Sequence, residues 1–444
     1  MSDRDASYLL ENALLYDGAE VHAGAALLIT GDRVAWIGSS QPGSETQGGE
    51  RIDVGGRLVT PGLVNAHTHI YSALACGIGL KDAPPENFSE ILDRLWWRLD
   101  RALDLETIAL SAELHAIDCL RCGVTTIFDH HASQTVIDGS LRTIAEGLAP
   151  AGLRACLCFE VSDRGGEGAA AAGIAENVAM IDAAAGDHSG RLRALFGLHA
   201  SMTLGTRTLN ACRDARDRHP AGFHVHVAED AADQRDAERR YQMRVLERLA
   251  QAGILGPRTL CVHGVHLDSL EIEIVGRSRT FLAHCPQSNM NNAVGAVRLA
   301  TLAAAGVPVV LGTDGFTANM WRESLVAHLL QNHLTGDPRE GYTVVARLLT
   351  QANPALAEAI FGLPLGRLAA GDPADLVVWD YLPATPLSAE NLHGHAMFGL
   401  VGARAREVFV GGRQVLAGGN PVGIDEEEVR YRARRAAAAL WERF

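Results

Sequence analysis

The chain has 444 residues, 47% of them hydrophobic, and a formal charge of −14. That length and apolar content supply a sizeable core, exclude a disordered chain and point to one large domain with a smaller companion. The acidic balance argues against a nucleic-acid partner, which would call for a basic face.

The chain does not open with the basic and then apolar order of a secretory signal. The longest charge-free run near the end of the central region, 299–313, contains Gly306 and Pro308. It falls short of the ~20 apolar residues a membrane helix needs. A soluble, cytoplasmic protein with no membrane contact is expected. Eight cysteines in a chain of this length do not make a disulfide scaffold. Cys119 and Cys122 form a C-x-x-C inside a helical pattern with no second pair, so they are expected in the core. The single lysine, Lys81, lies in the polar stretch "GLKDAPPEN", a poor setting for a desolvated catalytic amine.

Residues 7–57 show short alternating strands broken by Asp-Gly, Gly-Ala and Gly-Asp turns. Eight apolar runs then follow, near 57–69, 124–130, 153–160, 192–200, 222–230, 259–267, 280–289 and 307–315. Each is bounded by turn or polar residues, and most are separated by alanine- and leucine-rich helical patterns. Strand and helix alternating eight times is the outline of a (β/α)8 TIM-type barrel. A doubly wound sheet is the rival, but no G-x-G-x-x-G follows the first strand.

After the barrel, 371–380 and 405–419 return to short strands, so the two flanks are expected to pair into a small β-sandwich. The predicted division is 1–58 for the first part of the sandwich, 59–368 for the barrel, and 369–444 for the second part with a C-terminal helix. That helix has acidic residues at its start and an apolar stripe of Val429, Ala433, Ala437, Leu440 and Phe444, expected to cover its own sandwich or barrel.

Barrel enzymes gather their reactive residues at the C-terminal ends of the strands. Here those ends carry His67 and His69, Asp129, His130 and His131, Glu160, His199, His226 with Glu229, His263 with His266, His284, and Asp314. Residues i and i+2 of a strand share a face, so His67 and His69 project into one mouth. Two adjacent imidazoles suit a metal cation, and His226 and Asp314 are the natural further ligands. Three histidines and one carboxylate leave room for a bound water, whose pKa a metal lowers from about 15.7 toward ~7. Two-metal barrels commonly bridge their ions with a modified lysine at the end of strand four; strand four here ends "LFGLHAS", so one ion is expected. His224 shares the face of His226 but lies deeper, and is read as a packed core histidine. His266 is read as an orienting group. Trp96 and Trp97 follow strand one, where a lid could stack on a flat ring, and adjacent helical positions would let at most one of them do so.

The segments "PGLVNAHTH", "HVHVAED", "VHGVHLD", "HCPQSNMNN", "LGTDG" and "GDPADLVVWD" together resemble the amidohydrolase superfamily over nearly the whole chain. The resemblance falls in its mononuclear aminohydrolase branch of cytosine, guanine and S-adenosylhomocysteine deaminases and triazine hydrolases. "LWWRLDRALD" and "FDHHAS" look like the SsnA-type aminohydrolases. The resemblance implies His67, His69, His226 and Asp314 as ligands of one divalent ion, zinc with iron the alternative. It implies Glu229, in H-x-x-E, as proton shuttle, His263 as partner of the nucleophilic water and the oxyanion, and Asp314 as a further catalytic group. His199, His131 and Trp97 are the expected substrate contacts, with His130, His284 and Trp96 as further candidates. The expected reaction is hydrolytic deamination of a small heterocyclic substrate. Cyclic-amide or triazine-type hydrolysis and a non-catalytic binding barrel are the alternatives, and a homo-oligomer is left open.

Overall fold

The computed structural model describes residues 7–39 and 49–444. Eight parallel strands form the centre: Leu63–Thr68, Val124–Asp129, Arg154–Leu157, Leu192–Ala194 continuing as Phe196–Ala200, Phe223–Val227, Leu260–His263, Phe281–His284 and Val309–Leu311. They are numbered here as barrel strands one to eight. Most are buried along their whole length, as expected of strands covered on both faces, which is why each reads as an uninterrupted apolar run. They hydrogen-bond as two arcs that meet between the two halves of strand four. Parallel bridges Val161–Leu198 and Thr68–Asp314 join the arcs at both seams, giving a TIM-type barrel.

One end of the barrel is filled. The helix Asn353–Phe361 supplies Leu356, Ile360 and Phe361 to an inner cluster with Val64, Phe128, Val262 and Val310. Asn353 ties that plug to the strands, its Nδ2 donating to the carbonyls of Val64 and Leu311, each at 2.8 Å. The other end is left for chemistry.

The run at 57–69 proves to be two strands. Leu58–Pro61 pairs in the flanking sheet with Ser7–Tyr16 and Leu376–Trp379, and only Leu63–Thr68 enters the barrel. Gly62 makes the crossing, and a Cβ there would lie 2.1 Å from Thr125 Oγ1, so the close approach requires glycine. Among the described residues, nine strands from the two flanks form this sheet. Its edge strand Arg33–Ser39 folds back so that the Val34 N–H donates to the Asp372 carbonyl, and both flanks share one core around Leu27, Ile29, Leu376 and Phe409. That is a small sandwich of one curled sheet.

The terminal helix Glu426–Arg443 buries Val429, Ala433, Ala436 and Leu440. It docks on the barrel helix Leu105–Arg121 through the Arg121–Glu426 fork and the Arg443–Asp104 pair. Ala436, not Ala437, is the more deeply buried position of the stripe. Cys119 and Cys122 are buried thiols. Among the described residues, no helix is long and apolar enough to cross a membrane.

Candidate active site

At the open end a cavity with about 690 Å³ of empty volume is lined by His69, His199, His226, Glu229, His263 and Asp314 among others. His67 lies fully buried beneath it. Three imidazoles are oriented by their Nδ1 atoms. His69 Nδ1 is 2.6 Å from the His130 carbonyl, and His226 Nδ1 is 2.9 Å from the His199 carbonyl. His67 Nδ1 is 2.9 Å from His224 Nε2. With Nδ1 donating to a carbonyl, Nε2 is the nitrogen that His69 and His226 each have free for a metal, and the two face each other at 3.3 Å. Asp314 Oδ1 lies 3.2 Å from His69 Nε2 and 3.9 Å from His67 Nε2. His67 Nε2 is buried with no hydrogen-bond partner. Converging imidazole nitrogens, a carboxylate and an orphaned buried nitrogen are a donor set that a divalent cation satisfies, and the residues fit one.

The electrostatics point the same way. Burial lowers His69, but the hydrogen bond and charge of Asp314 outweigh it and lift the imidazole to about 9. Burial would raise Asp314, and His69 instead holds it well below the usual carboxylate range. The field that keeps a proton on His69 is one that would hold a cation. Burial and the surrounding histidines push His67 and His226 far below an ordinary imidazole, so both remain neutral donors.

Beside this cluster, His263 Nε2 is 3.3 Å from Glu229 Oε2 and 3.7 Å from Asp314 Oδ2. The backbone is left-handed at His263, with φ of 72°, and at Asp314, with φ of 55°, a strain stored where the strands end. Burial pushes Glu229 well above the usual carboxylate range. A carboxyl held near the boundary of its two protonation states can both take and give a proton at neutral pH.

The short helix Pro286–Asn291 after strand seven, and the residue that follows it, brace these groups. Asn289 Oδ1 is 2.9 Å from His263 Nδ1, and Asn292 Nδ2 donates to Glu229 Oε1 at 3.2 Å. Sequence reasoning passed over both, although "QSNMNN" after a histidine-bearing strand is the available signal. His224 is not merely packed: it fixes the ring of His67. Its i, i+2 spacing from His226 was visible, but its partner on strand one was not.

His199 and Trp97 reach the cavity wall, and His199 Nδ1 is 2.7 Å from Thr203 Oγ1. His131 does not line it. Its Nε2 is 3.0 Å from Ser133 Oγ and its ring abuts Tyr71 and Phe159, so Tyr71 takes the place expected for it. Both Trp96 and Trp97 line the cavity. The segment Leu92–Trp96 is a π-helical turn, whose wider winding alters the ordinary angular offset between neighbours. His130 and His284 are buried behind the wall, and His266 Nε2 is 2.8 Å from the Val294 carbonyl.

Fold and donor set together define a barrel hydrolase acting on carbon–nitrogen bonds, with a site that fits a metal. The chain belongs to the amidohydrolase family, whose sequence profile, described as "Amidohydrolase family", matches residues 58–415. A 5-methylthioadenosine/S-adenosylhomocysteine deaminase of Pelotomaculum thermopropionicum is 31% identical over 96% of this chain and 95% of its own length. A 5'-deoxyadenosine deaminase of Methanobrevibacter smithii is 27% identical over 99% of each. In fold, the chain is similar to the crystal structure of an adenosine deaminase from Xanthomonas campestris with bound zinc. The TM-score is 0.84 at 22% identity, covering 98% of this chain and 99% of that one.

Proposed function

We propose that this protein hydrolyses an exocyclic amine from a nitrogen heterocycle and releases ammonia. The observation that supports this best is a single arrangement. His67, His69 and Asp314 offer ligand atoms within 4.8 Å of one another, His226 Nε2 faces His69 Nε2 at 3.3 Å, and the Glu229–His263 pair lies beside them. The relatives named as deaminases of adenosine derivatives favour a purine of the adenine type within the purine, pyrimidine and related range.

His67, His69, His226 and Asp314 would hold one divalent ion, zinc with iron the alternative. When bound, such an ion lowers the pKa of a water molecule from about 15.7 toward ~7 and polarises the atom it touches. The remaining work belongs to side chains. Glu229 takes the proton of the attacking water as the oxygen bonds to the ring carbon. It passes that proton to the ring nitrogen beside the attacked carbon and then carries the second proton from the added oxygen to the exocyclic amine, so that the C–N bond breaks toward ammonia and the ring keeps a C=O next to an N–H. His263, its Nδ1 held by Asn289, hydrogen-bonds the water and steadies the oxygen that gains charge. Asp314 aims the water, and Trp96 and Trp97 offer apolar faces to a flat ring.

Ring opening of a saturated cyclic amide fits less well, because that chemistry usually enlists a second metal. The bridging lysine such pairs commonly use is missing: Lys81 is on the surface, its Nζ donating to the Glu442 carbonyl at 3.3 Å. The cytoplasm is the compartment this reading assigns, supported by eight free cysteines. The test is mass spectrometry on a panel of aminated heterocycles, dihydropyrimidines and hydantoins. Deamination adds about one dalton and releases ammonia, whereas ring hydrolysis adds about eighteen, for water added by a site of this type. A gain of eighteen without ammonia on the best substrate overturns the assignment.

A further inference from the structure

The cavity carries a charge pattern that the reaction itself does not require. Among the described residues, six carboxylates line it, those of Asp100, Glu160, Glu229, Asp230, Asp233 and Asp314, and no lysine or arginine does. Arg235 pairs with Asp230 at 3.8 Å and Arg240 donates to the Met202 carbonyl at 3.1 Å, while the guanidinium behind the Trp97 wall, Arg164, is fully engaged. Its Nη1 is 2.7 Å from Asp100 Oδ2, its Nη2 is 3.0 Å from Glu160 Oε1, and its planar group lies 4.9 Å from the Trp97 ring centroid. Two carboxylates therefore share one cation, and none of its charge is left for a ligand.

Glu229 and Asp314 belong to the reacting centre, and Asp233 is used structurally, accepting from the Met202 and Ala228 N–H groups. Asp100 and Glu160 are not accounted for in that way. Asp100 is 1% exposed, and its Oδ1 has no hydrogen-bond partner. On the same wall, Trp97 Nε1 is also buried without a partner. An unpartnered buried carboxylate oxygen is costly unless a ligand supplies a donor. A second anion placed against it would add repulsion that the low local dielectric does not screen.

We infer that this wall selects substrates by charge: it accepts a neutral or cationic heterocycle that presents an O–H or N–H donor toward Asp100, and it rejects rings that carry a phosphate or carboxylate tail. The inference rests on the deaminase reading and narrows it. Ribose hydroxyls and ring N–H groups are both sources of the donor. The excluded class is common to both, because the rejection comes from Asp100 and Glu160 and the engagement of Arg164.

The test compares paired ligands that differ in one anionic group. Purine and pyrimidine nucleosides are set against their 5'-monophosphates, and pterin against its 6-carboxylate. Ammonia release and calorimetric binding are both measured on the metal-loaded protein. The expected result is that kcat/KM and affinity fall by roughly ten-fold or more for the anionic member of the best pair, the scale of an uncompensated like-charge contact. Asp100→Asn, which removes one of the two carboxylates holding Arg164, should shrink that ratio. Met202→Lys, which places a cation on the cavity wall while leaving the Arg164 cluster intact, should shrink it further. Equal turnover or binding of both members in the wild type overturns the charge selection and leaves the deaminase reading standing. An unchanged ratio in both variants overturns the assignment of selection to this wall. If no aminated ring yields ammonia, the deaminase reading fails, and the binding comparison still decides the charge selection.

Discussion

The two ends of the barrel handle their polar groups in opposite ways. At the closed end, Arg154 and Asp375 are both buried and meet as a fork, with Nε–Oδ2 at 2.7 Å and Nη2–Oδ1 at 2.8 Å. The spare guanidinium nitrogen donates to the Gly190 carbonyl, and Asp375 Oδ1 also accepts from the Gly411 N–H. At the open end, His67 Nε2, Asp129 Oδ2, Asp100 Oδ1 and Trp97 Nε1 are buried without a hydrogen-bond partner. One end has its hydrogen bonds completed by the chain itself. The other keeps groups whose partners have to arrive, and bears left-handed backbone at His263 and Asp314. Stability is invested below and reactivity above, a division that TIM barrels make generally.

Substitutions at the two ends should therefore fail differently. The largest effect is expected for His67→Ala at the open end, where loss of a convergent nitrogen should remove the tightly held ion and bring ammonia release to background. Elemental analysis with circular dichroism checks it, and the folded signal should remain. Arg154→Ala at the closed end should cost roughly 3–5 kcal/mol of stability by leaving Asp375 buried and unpaired. Activity per folded molecule should hardly change, so a denaturant midpoint that falls while kcat holds confirms the division. His224→Leu keeps volume but frees the His67 ring, and should weaken metal affinity by about 10–100-fold, the range for a group that orients a ligand. Competition with a chelator measures it. Asn292→Ala should have the smallest effect, because it removes only a hydrogen bond to the Glu229 carboxylate. Such bonds are worth about 1.5–3 kcal/mol, and this one, long at 3.2 Å, belongs at the lower end, so kcat should drop by roughly ten-fold with metal content unchanged.

What the sequence showed divides along a related line. The strand-end residues were legible because parallel strands buried on both faces stand out as apolar runs, and a histidine or acid ending such a run is conspicuous. The i, i+2 spacing of His67 and His69 then set their common direction. Residues delivered by loops and short helices were harder to see. Asp100, Met202, Asn289 and Asn292 come together only through tertiary structure, and nothing periodic marks them. The turn at Pro61-Gly62 was visible, but that it divides two sheets was not, because the residues on both sides are apolar and buried. His131 was misplaced because the backbone turns at the end of strand two and directs consecutive histidines to different neighbours.

The central claim is that the open end binds one ion and that Glu229 moves the proton. Its most direct test is a single comparison of wild type with Glu229→Gln, measuring metal per chain and ammonia release on the best substrate together. One tightly held divalent ion is expected in both proteins, with a loss of turnover of roughly 10²-fold or more in the variant. Near-normal ammonia release by Glu229→Gln, or two tightly held ions per chain, would contradict it.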